Sequence, residues 1–214
     1  MKKVIAIAAA LMLVGTTAFA QNFGAGYVQS TKTDGSSSVA ANGFYVGFGY
    51  SAPIVSGISL NPGIYYEFLT NSSASGASVP GIVSVSGSSK TTEHYVNIPL
   101  HLSFALNFAP TFKFFVYGGP TASVGIASTT KSTSSASIDI IGWSSGPSTS
   151  TSDNYAEGSN YSRFDIMAGG GVGAEVMKKF RLTVGYDFGL LDRNQNDNAS
   201  LKRNRLTAGA AYIF

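Results

Sequence analysis

The chain has 214 residues, of which 12% are charged and none is cysteine, and its formal net charge is +3. The absence of cysteine excludes a disulfide framework and a thiolate metal site. Two of the basic residues, Lys2 and Lys3, lie at the very start, and without them basic and acidic residues nearly balance, which excludes a nucleic-acid-binding charge pattern.

The first twenty residues have the three parts of a secretory signal. Basic Lys2 and Lys3 precede an apolar run over residues 4–14, and Ala18-Phe19-Ala20 supplies small residues at a cleavage site. The apolar run is about half of the roughly 20 residues that a transmembrane helix requires. We therefore predict a signal peptide over residues 1–20 and a mature domain over residues 21–214.

The rest of the chain has the composition and periodicity of β-strands. It is rich in Gly, Ser and Thr, and the chain holds 14 Phe and 11 Tyr. No stretch of 18 consecutive apolar residues follows the signal, so a helical membrane protein is not predicted. Period-two alternation predicts eight strands, over residues 22–29, 43–50, 57–69, 92–108, 111–127, 161–177, 180–191 and 202–214.

The connections between these segments alternate in length. Short turns are predicted around Pro53, Pro110 and Lys178-Lys179, whereas the other connections are longer and polar, the longest over residues 128–160. Bacterial outer-membrane barrels have an even number of strands, short periplasmic turns and longer outer loops. The sequence therefore predicts an all-β fold, an eight-stranded antiparallel up-and-down transmembrane β-barrel in the bacterial outer membrane, with both termini periplasmic and the long loops outside.

Charged side chains share one face of the predicted strands, and apolar side chains with aromatic ends share the other. A soluble lipocalin-like barrel would place the apolar face inside, so this polarity favours a lipid-facing exterior. An eight-stranded barrel has little room, and unpaired buried charges are costly, so we expect a filled interior whose charges pair. A small porin-like solute channel is the alternative. The predicted interior charge network is Glu67, Glu93, Lys113, Arg163, Asp165, Glu175, Arg181, Asp187, Arg203 and Arg205. Gly169, Gly171 and Gly173 are predicted to point inward and to leave room for long side chains.

Two sets of motifs resemble known outer-membrane proteins. Thr207-x-Gly209-x-x-Tyr212-x-Phe214 resembles the carboxy-terminal signal that the barrel assembly machinery recognises. The segments 94–100 (HYVNIPL) and 113–120 (KFFVYGGP) resemble strands of the small porin-like outer-membrane β-barrel domain family, related in architecture to OmpA/OmpX-type barrels. This resemblance implies an eight-stranded barrel and no single function. Because Phe214 is the last residue, we expect the barrel to be the whole mature protein, in contact with outer-membrane lipid and the assembly machinery.

The chemistry-bearing residues give little support for an enzyme. His94 and His101 lie on opposite faces of one predicted strand, about 23 Å apart, so they cannot share a metal ion. His101 and Ser103 share a face, and Glu67 or Glu93 could orient the histidine, as in outer-membrane lipid hydrolases. Such a pair would have to face lipid, whereas the alternation places His101 inside. We therefore expect no catalytic activity, no cofactor and no metal, with a lipid-modifying enzyme as the least favoured alternative.

The long connection over residues 128–160 contains an apolar island. Ile140, Ile141 and Trp143 form a possible contact site there. The island could dock on a similar one over residues 82–85 or stay exposed, and a strand-like extension above the membrane is favoured. The predicted role is structural or surface interaction by a monomer, with an extracellular ligand that the sequence does not identify.

Overall fold

The computed structural model describes residues 20–34, 37–80, 82–138, 141–159, 161–194 and 200–214, which form nine antiparallel β-strands. The predicted signal peptide lies outside the described residues except for Ala20. Within the described ranges, no helix is long and apolar enough to span a membrane. The strands are β1 (Ala20–Asp34), β2 (Ser37–Val55), β3 (Ile58–Val79), β4 (Val83–Ala109), β5 (Phe112–Ile138), β6 (Trp143–Asp153), β7 (Phe164–Val176), β8 (Phe180–Gly189) and β9 (Leu201–Ile213).

Eight of these strands close into a ring. Neighbouring strands pair in chain order from β1 to β5, β5 pairs with β7, and β7, β8 and β9 continue until β9 pairs with β1. β6 stands outside the ring and pairs with the part of β5 between Thr129 and Ile138. The predicted all-β, eight-stranded antiparallel barrel is confirmed, and β6 is an additional strand that the alternation did not reveal.

Short turns join the strands at one end of the ring, here called the short-turn end. They lie at residues 56–57, 110–111 and 177–179. The turns predicted at Pro110 and Lys178-Lys179 are confirmed. Pro53, by contrast, lies inside β2, where the pairing with β3 shifts register before Val55. Proline has no N–H to donate, so an irregular part of a strand accommodates it.

The opposite end, here called the long-hairpin end, carries strands where long loops were predicted. β3 and β4 pair as far as Val79 and Val83, and β4 and β5 pair as far as Ile138. Together with β6 they form a four-stranded sheet, here called the extension, over residues 71–79, 83–91, 129–138 and 143–153. The segment predicted as a connection over residues 128–160 is thus largely two strands, as the favoured strand-like interpretation expected.

The ring has an apolar exterior and a polar interior. In β8, Phe180, Leu182 and Phe188 are 52%, 53% and 58% exposed, whereas Asp187 between them is 4% exposed. The alternation follows from the pleat of a strand, which points successive side chains to opposite faces.

Glycines on the inner face of β7 make room for large neighbours. A Cβ atom added at Gly173 would lie 2.3 Å from Phe115 Cζ, one at Gly171 2.7 Å from Tyr117 Oη, and one at Gly169 2.4 Å from Asp187 Oδ1. No side chain larger than hydrogen fits at such distances, which agrees with the predicted role of these glycines.

Candidate functional site

The inward charges divide between the two ends of the barrel. Lys113, Glu175 and Arg181 lie near the short-turn end, on paired positions of β5, β7 and β8. The others that point inward lie towards the long-hairpin end, and they are Glu67, Glu93, Asp165, Asp187, Arg203 and Arg205.

Arg203 lies at the centre of the second group. Its side chain is completely buried and forms an ion pair with Glu67. The guanidinium also donates to Ser30 Oγ at 2.9 Å and to Ser123 Oγ at 3.0 Å, and it lies 3.8 Å from the centre of the Tyr95 ring. Arg203 therefore connects strands on opposite sides of the barrel.

Glu67 is shared between two arginines. Its Oε2 accepts from Arg205 Nη1 at 3.2 Å and from Asn97 Nδ2 at 2.9 Å. Arg205 in turn donates to Asp187 Oδ2 through Nε at 3.0 Å and Nη2 at 2.6 Å. The low local dielectric makes such bonds strong and makes the loss of any one partner costly.

A second layer closes the barrel nearer the long-hairpin end. Glu93 is buried, forms an ion pair with Lys32, and accepts from Tyr95 Oη at 3.2 Å and Ser128 Oγ at 3.2 Å. Arg193 is 0% exposed and lies across the barrel opening at the long-hairpin end. Its guanidinium donates to Tyr95 Oη at 3.0 Å, to Tyr155 Oη at 3.1 Å and to the Ser162 carbonyl at 2.8 Å.

Together these residues form what we call the ionic plug. It holds four cations, Lys32, Arg193, Arg203 and Arg205, and four carboxylates, Glu67, Glu93, Asp165 and Asp187. Asp165 is fully buried next to Ser123, its cross-strand partner. Glu67, Glu93 and Asp187 form ion pairs with Lys32, Arg203 and Arg205, which offsets the cost of burying these charges. Asp165 and Arg193 take part in none of the ion pairs among the described residues.

Lys32 and Arg193 were not part of the predicted network. Lys32 has the same parity as Val28 and Ser30, so extending the alternation of β1 by a few residues would have found it. Arg193 lies between β8 and β9 with no periodic signal around it.

Arg163 was predicted inside the barrel, and the structure corrects this. Its side chain is exposed, donates to the Tyr155 carbonyl at 3.1 Å and lies 4.7 Å from the centre of the Tyr155 ring. β7 begins at Phe164, so the alternation does not extend back to residue 163.

The short-turn end is more open. Glu175 forms ion pairs with both Lys113 and Arg181, the latter at 2.5 Å. Between these residues and the ionic plug lies a cavity of about 130 Å³, whose lining includes Tyr45, Tyr65, Tyr117 and Arg205. The interior is therefore filled at one end and partly hollow at the other.

His101 and Ser103 both lie on the inner side but do not form a catalytic arrangement. His101 Nε2 is 3.2 Å from Thr121 Oγ1, and its ring stacks on Tyr117. Ser103 Oγ accepts from Asn61 Nδ2 at 2.8 Å. The carboxylates of Glu67 and Glu93 are engaged by cations in the ionic plug. Among the described residues, no group of three or more His, Asp or Glu could hold a metal ion.

The tip of the extension has one apolar face, here called the tip face. Val79, Val83, Ile138 and Trp143 are cross-strand partners in one row over all four strands, and Ala77, Val85 and Ala136 form the next row. Cross-strand partners point to the same side of a sheet. The intervening row, on the other side, consists of Ser78, Ser84, Ser137 and Ser144.

The tip face is open to solvent. Val79 and Trp143 are each 49% exposed and Val85 is 50% exposed, and Ile141, just before β6, is 69% exposed. Val83 pairs with Ile138, so the two apolar islands noted in the sequence are adjacent strands. Of the three residues in the predicted contact site, Trp143 lies on this face, Ile141 adjoins it, and Ile140 lies outside the described residues.

A sequence model for the family described as outer membrane protein β-barrel domain matches residues 15–193, which is most of the chain. The chain belongs to this family. Its members are proteins of the bacterial outer membrane, so the apolar exterior of the ring faces lipid.

Solved barrels with similar structures include three outer-membrane proteins. Ail of Yersinia pestis, solved with the heparin analogue sucrose octasulfate, is 16% identical, with a TM-score of 0.42, over 92% of this chain and 100% of that chain. Neisserial surface protein A is 14% identical, with a TM-score of 0.47, over 94% of this chain and 99% of that chain. The N-terminal barrel of Pseudomonas aeruginosa OprF is 9% identical, with a TM-score of 0.29, over 89% of this chain and 97% of that chain. Comparison with curated proteins finds no match.

The terminal strand of this family member places its four motif residues on both faces. Tyr212 and Phe214 are 43% and 62% exposed on the lipid side, and Tyr212 contacts Phe180 edge-on at 5.7 Å. Thr207 Oγ1 donates to the Gly185 carbonyl at 3.4 Å. Gly209 faces inward, where an added Cβ would lie 2.1 Å from Tyr45 Oη. A side chain at position 209 would therefore clash with Tyr45, which accounts for the glycine at this position of the motif.

Proposed function

We propose that this outer-membrane barrel is a structural or surface-interaction protein, without catalytic activity, that presents the tip face as its contact surface. The observation that carries this proposal is the amphipathic end of the extension, where one row of four apolar residues is backed by a row of four serines. Exposed apolar patches rimmed by polar residues mark interaction sites. A sheet that only had to be soluble would gain nothing from this arrangement.

The ionic plug supports a closed interior over a porin-like channel. Arg203 and Glu67 are both completely buried, so no water-filled passage surrounds them. The cavity near the short-turn end is bounded by Arg205, which belongs to the plug. A solute would have to separate buried ion pairs, which costs several kcal/mol for each pair broken.

The orientation belongs to the same proposal. We infer that residues 1–20 are removed on export, that residues 21–214 form the mature barrel, that the short-turn end faces the periplasm, and that the extension lies outside the cell. Short periplasmic turns and long outer hairpins are the rule for bacterial barrels.

The chain has no native cysteine, so single cysteines report orientation cleanly. With Trp143→Cys, intact cells should react with a membrane-impermeant maleimide. With Lys178→Cys, at the opposite end, reaction should begin only after the outer membrane is permeabilised. Equal reactivity of both variants on intact cells would overturn the orientation.

The contact surface is tested by retention of expressing cells on octyl-agarose, an apolar probe. Trp143→Ser and Val85→Ser should each reduce retention without changing the amount of folded barrel. Val39→Ser is the matched control, because Val39 is 53% exposed on the β1–β2 hairpin, away from the tip face. If cells carrying Trp143→Ser or Val85→Ser are retained to the same extent as cells carrying the parent protein or Val39→Ser, the tip face is not a contact surface.

The terminal motif is proposed as the assembly signal. Phe214 is 62% exposed, its amide donates to the Gln21 carbonyl at 3.0 Å, and its ring stacks on Tyr212. Its deletion should reduce insertion while export continues, measured as the fraction of heat-modifiable protein in outer membranes. Normal insertion of the truncated chain would remove the basis for this assignment.

A further inference from the structure

The mouth of the barrel at the short-turn end contains a second concave site, separate from the tip face and from the ionic plug. It has a volume of about 270 Å³, and its polar lining includes Ser51, Asn107, Lys113, Glu175, Lys178 and Arg181. Asn107, Lys113, Glu175 and Arg181 form one continuous inward row, because each is the cross-strand partner of the next in β4, β5, β7 and β8. The fold therefore brings these groups together on a rigid wall.

The charge of this site is not balanced. Glu175 is the single carboxylate in the lining and is already shared by Lys113 and Arg181. Lys178 lines the same space and takes part in none of the six ion pairs among the described residues. Three cations against one carboxylate leave an excess of two positive charges, in contrast to the equal numbers in the ionic plug.

The turn that carries Lys178 is held in an unfavourable conformation. Met177 and Lys178 have φ angles of 55° and 58°, in the left-handed region that Gly and Asn adopt most readily. They are the central residues of a turn in which the Lys179 amide donates to the Val176 carbonyl at 3.2 Å. The Met177 amide donates to the Thr111 carbonyl at 2.7 Å and fixes this turn against the neighbouring one. Residues in such sparsely populated conformations cluster at functional sites.

We propose that this site binds an anion bearing a phosphate group, held by Lys113, Lys178 and Arg181. A phosphate monoester carries about −1.5 to −2 charges at neutral pH, which matches the excess of the site, whereas a single carboxylate would leave one cation unpaired. Arginine and lysine together are the usual donors to phosphate oxygens. The volume leaves space for a small group attached to the phosphate. The anion is either a lipid headgroup that reaches the mouth from the adjacent leaflet or a soluble phosphate monoester.

The experiment uses barrels purified from outer membranes, labelled with ¹⁵N and placed in phosphatidylcholine nanodiscs. One arm titrates inorganic phosphate, and the other replaces part of the lipid with phosphatidic acid. We expect saturable shifts of the amide signals of residues 111–113 and 177–179 in at least one arm. Saturation in the first arm identifies a soluble anion, and saturation in the second alone identifies a lipid headgroup. The absence of saturable shifts in both arms would overturn the proposal.

Two variants distinguish a built site from general attraction to positive charge. Lys178→Asn should bind about tenfold more weakly, the loss expected for one charged hydrogen bond, while the hairpin keeps or gains stability because asparagine tolerates the left-handed region. Lys179→Gln removes the same charge from the adjacent residue, which does not line the site, and should bind like the parent. Equal weakening in both variants would show a diffuse electrostatic effect and contradict the proposal.

Discussion

The two ends of the barrel interior differ in how many cations and carboxylates they hold and in how far these charges are buried. At the long-hairpin end, four ion pairs join Lys32, Arg203 and Arg205 to Glu67, Glu93 and Asp187, and the side chains of Glu67 and Arg203 have no exposure to solvent. At the short-turn end, one carboxylate serves two cations, and the side chain of Lys113 is 34% exposed. The first arrangement fills the barrel interior, and the second leaves more cations than carboxylates around an open space. The interior is therefore filled by paired side chains at one end and forms a concave polar site at the other.

The difference predicts unequal costs for removing one carboxylate at each end. Glu67→Gln keeps the shape of the side chain but leaves two buried arginines with one fewer partner, and we expect a loss of about 3–5 kcal/mol in the free energy of unfolding. Urea denaturation of barrels in lipid vesicles, followed by far-ultraviolet circular dichroism, measures it.

Glu175→Gln is the matched control for Glu67→Gln. Glu175 is also buried, but its partner Lys113 is 34% exposed and partly screened by solvent, so we expect a smaller loss, about 1–2 kcal/mol. Equal losses for the two variants would show that the ends do not differ as described.

Arg193 is a connection residue at the long-hairpin end that binds Tyr95 of β4 and the connection residues Tyr155 and Ser162. Arg193→Ala removes the bonds to Tyr95, Tyr155 and Ser162, and we expect the segment around Tyr155 and Ser162 to open more easily by about 3 kcal/mol. Thermolysin cleavage of purified barrels, mapped by mass spectrometry, should then occur in this segment.

Arg163→Ala provides the control for Arg193→Ala. It removes an exposed arginine with one carbonyl bond to the same segment, and cleavage should stay near the parent rate. Equal cleavage rates of the two variants would contradict the claim that Arg193 holds the segment around Tyr155 and Ser162 closed.

The packing around the cavity is tested by adding a methyl group at a glycine that lies next to the lining residue Tyr117. A Cβ at Gly185 would lie 2.3 Å from Tyr117 Oη, so Gly185→Ala should destabilise the barrel by about 1–3 kcal/mol, measured as a lower temperature of the heat-modifiable gel transition. Gly146→Ala, in β6, meets no atom within 4 Å and should leave the transition unchanged. A tolerated Gly185→Ala would mean that Tyr117 has more freedom than the cavity suggests.

The smallest expected effect is a lowered pKa of Asp192, which lies on the connection between β8 and β9. Its carboxylate accepts from the amides of Asn194 at 2.9 Å and Leu201 at 2.8 Å, and these bonds hold its pKa below the ordinary value for aspartate. The bonds therefore support the loop above the ordinary pKa and are lost as pH falls through the lowered one. A carboxyl ¹³C titration should place the midpoint below about 3.9, and a midpoint at or above that value would contradict these contacts.

The sequence predicted the ring well because lipid enforces a strict division of faces. Asp187 could be assigned to the interior because it lies between Tyr186 and Phe188, which face lipid, and Arg203 and Arg205 because they continue the inward parity of Thr207 and Gly209 in β9. No such constraint acts beyond the membrane. Apart from the tip face, the extension is rich in Ser and Thr and is exposed to solvent on both sides, so its strands resemble loops in the sequence.

Individual partners in the interior could not be predicted, for a related reason. Pairing depends on the angular position of each strand around the ring, and strands far apart in the chain meet across the barrel, as Glu67 and Arg203 do. Arg193 was missed because it comes from a connection, where alternation does not apply. Arg163 was misassigned because the alternation was continued past the start of β7 at Phe164.

The central claim is that the ionic plug closes the barrel, so that its function lies on its surfaces rather than in transport. Planar bilayer recording from the purified protein tests this claim most directly. We expect no steady current steps above the background of the lipid, at any voltage that the bilayer withstands. Steady steps proportional to voltage, from protein that shows the heat-modifiable transition of a folded barrel, would contradict the closed interior.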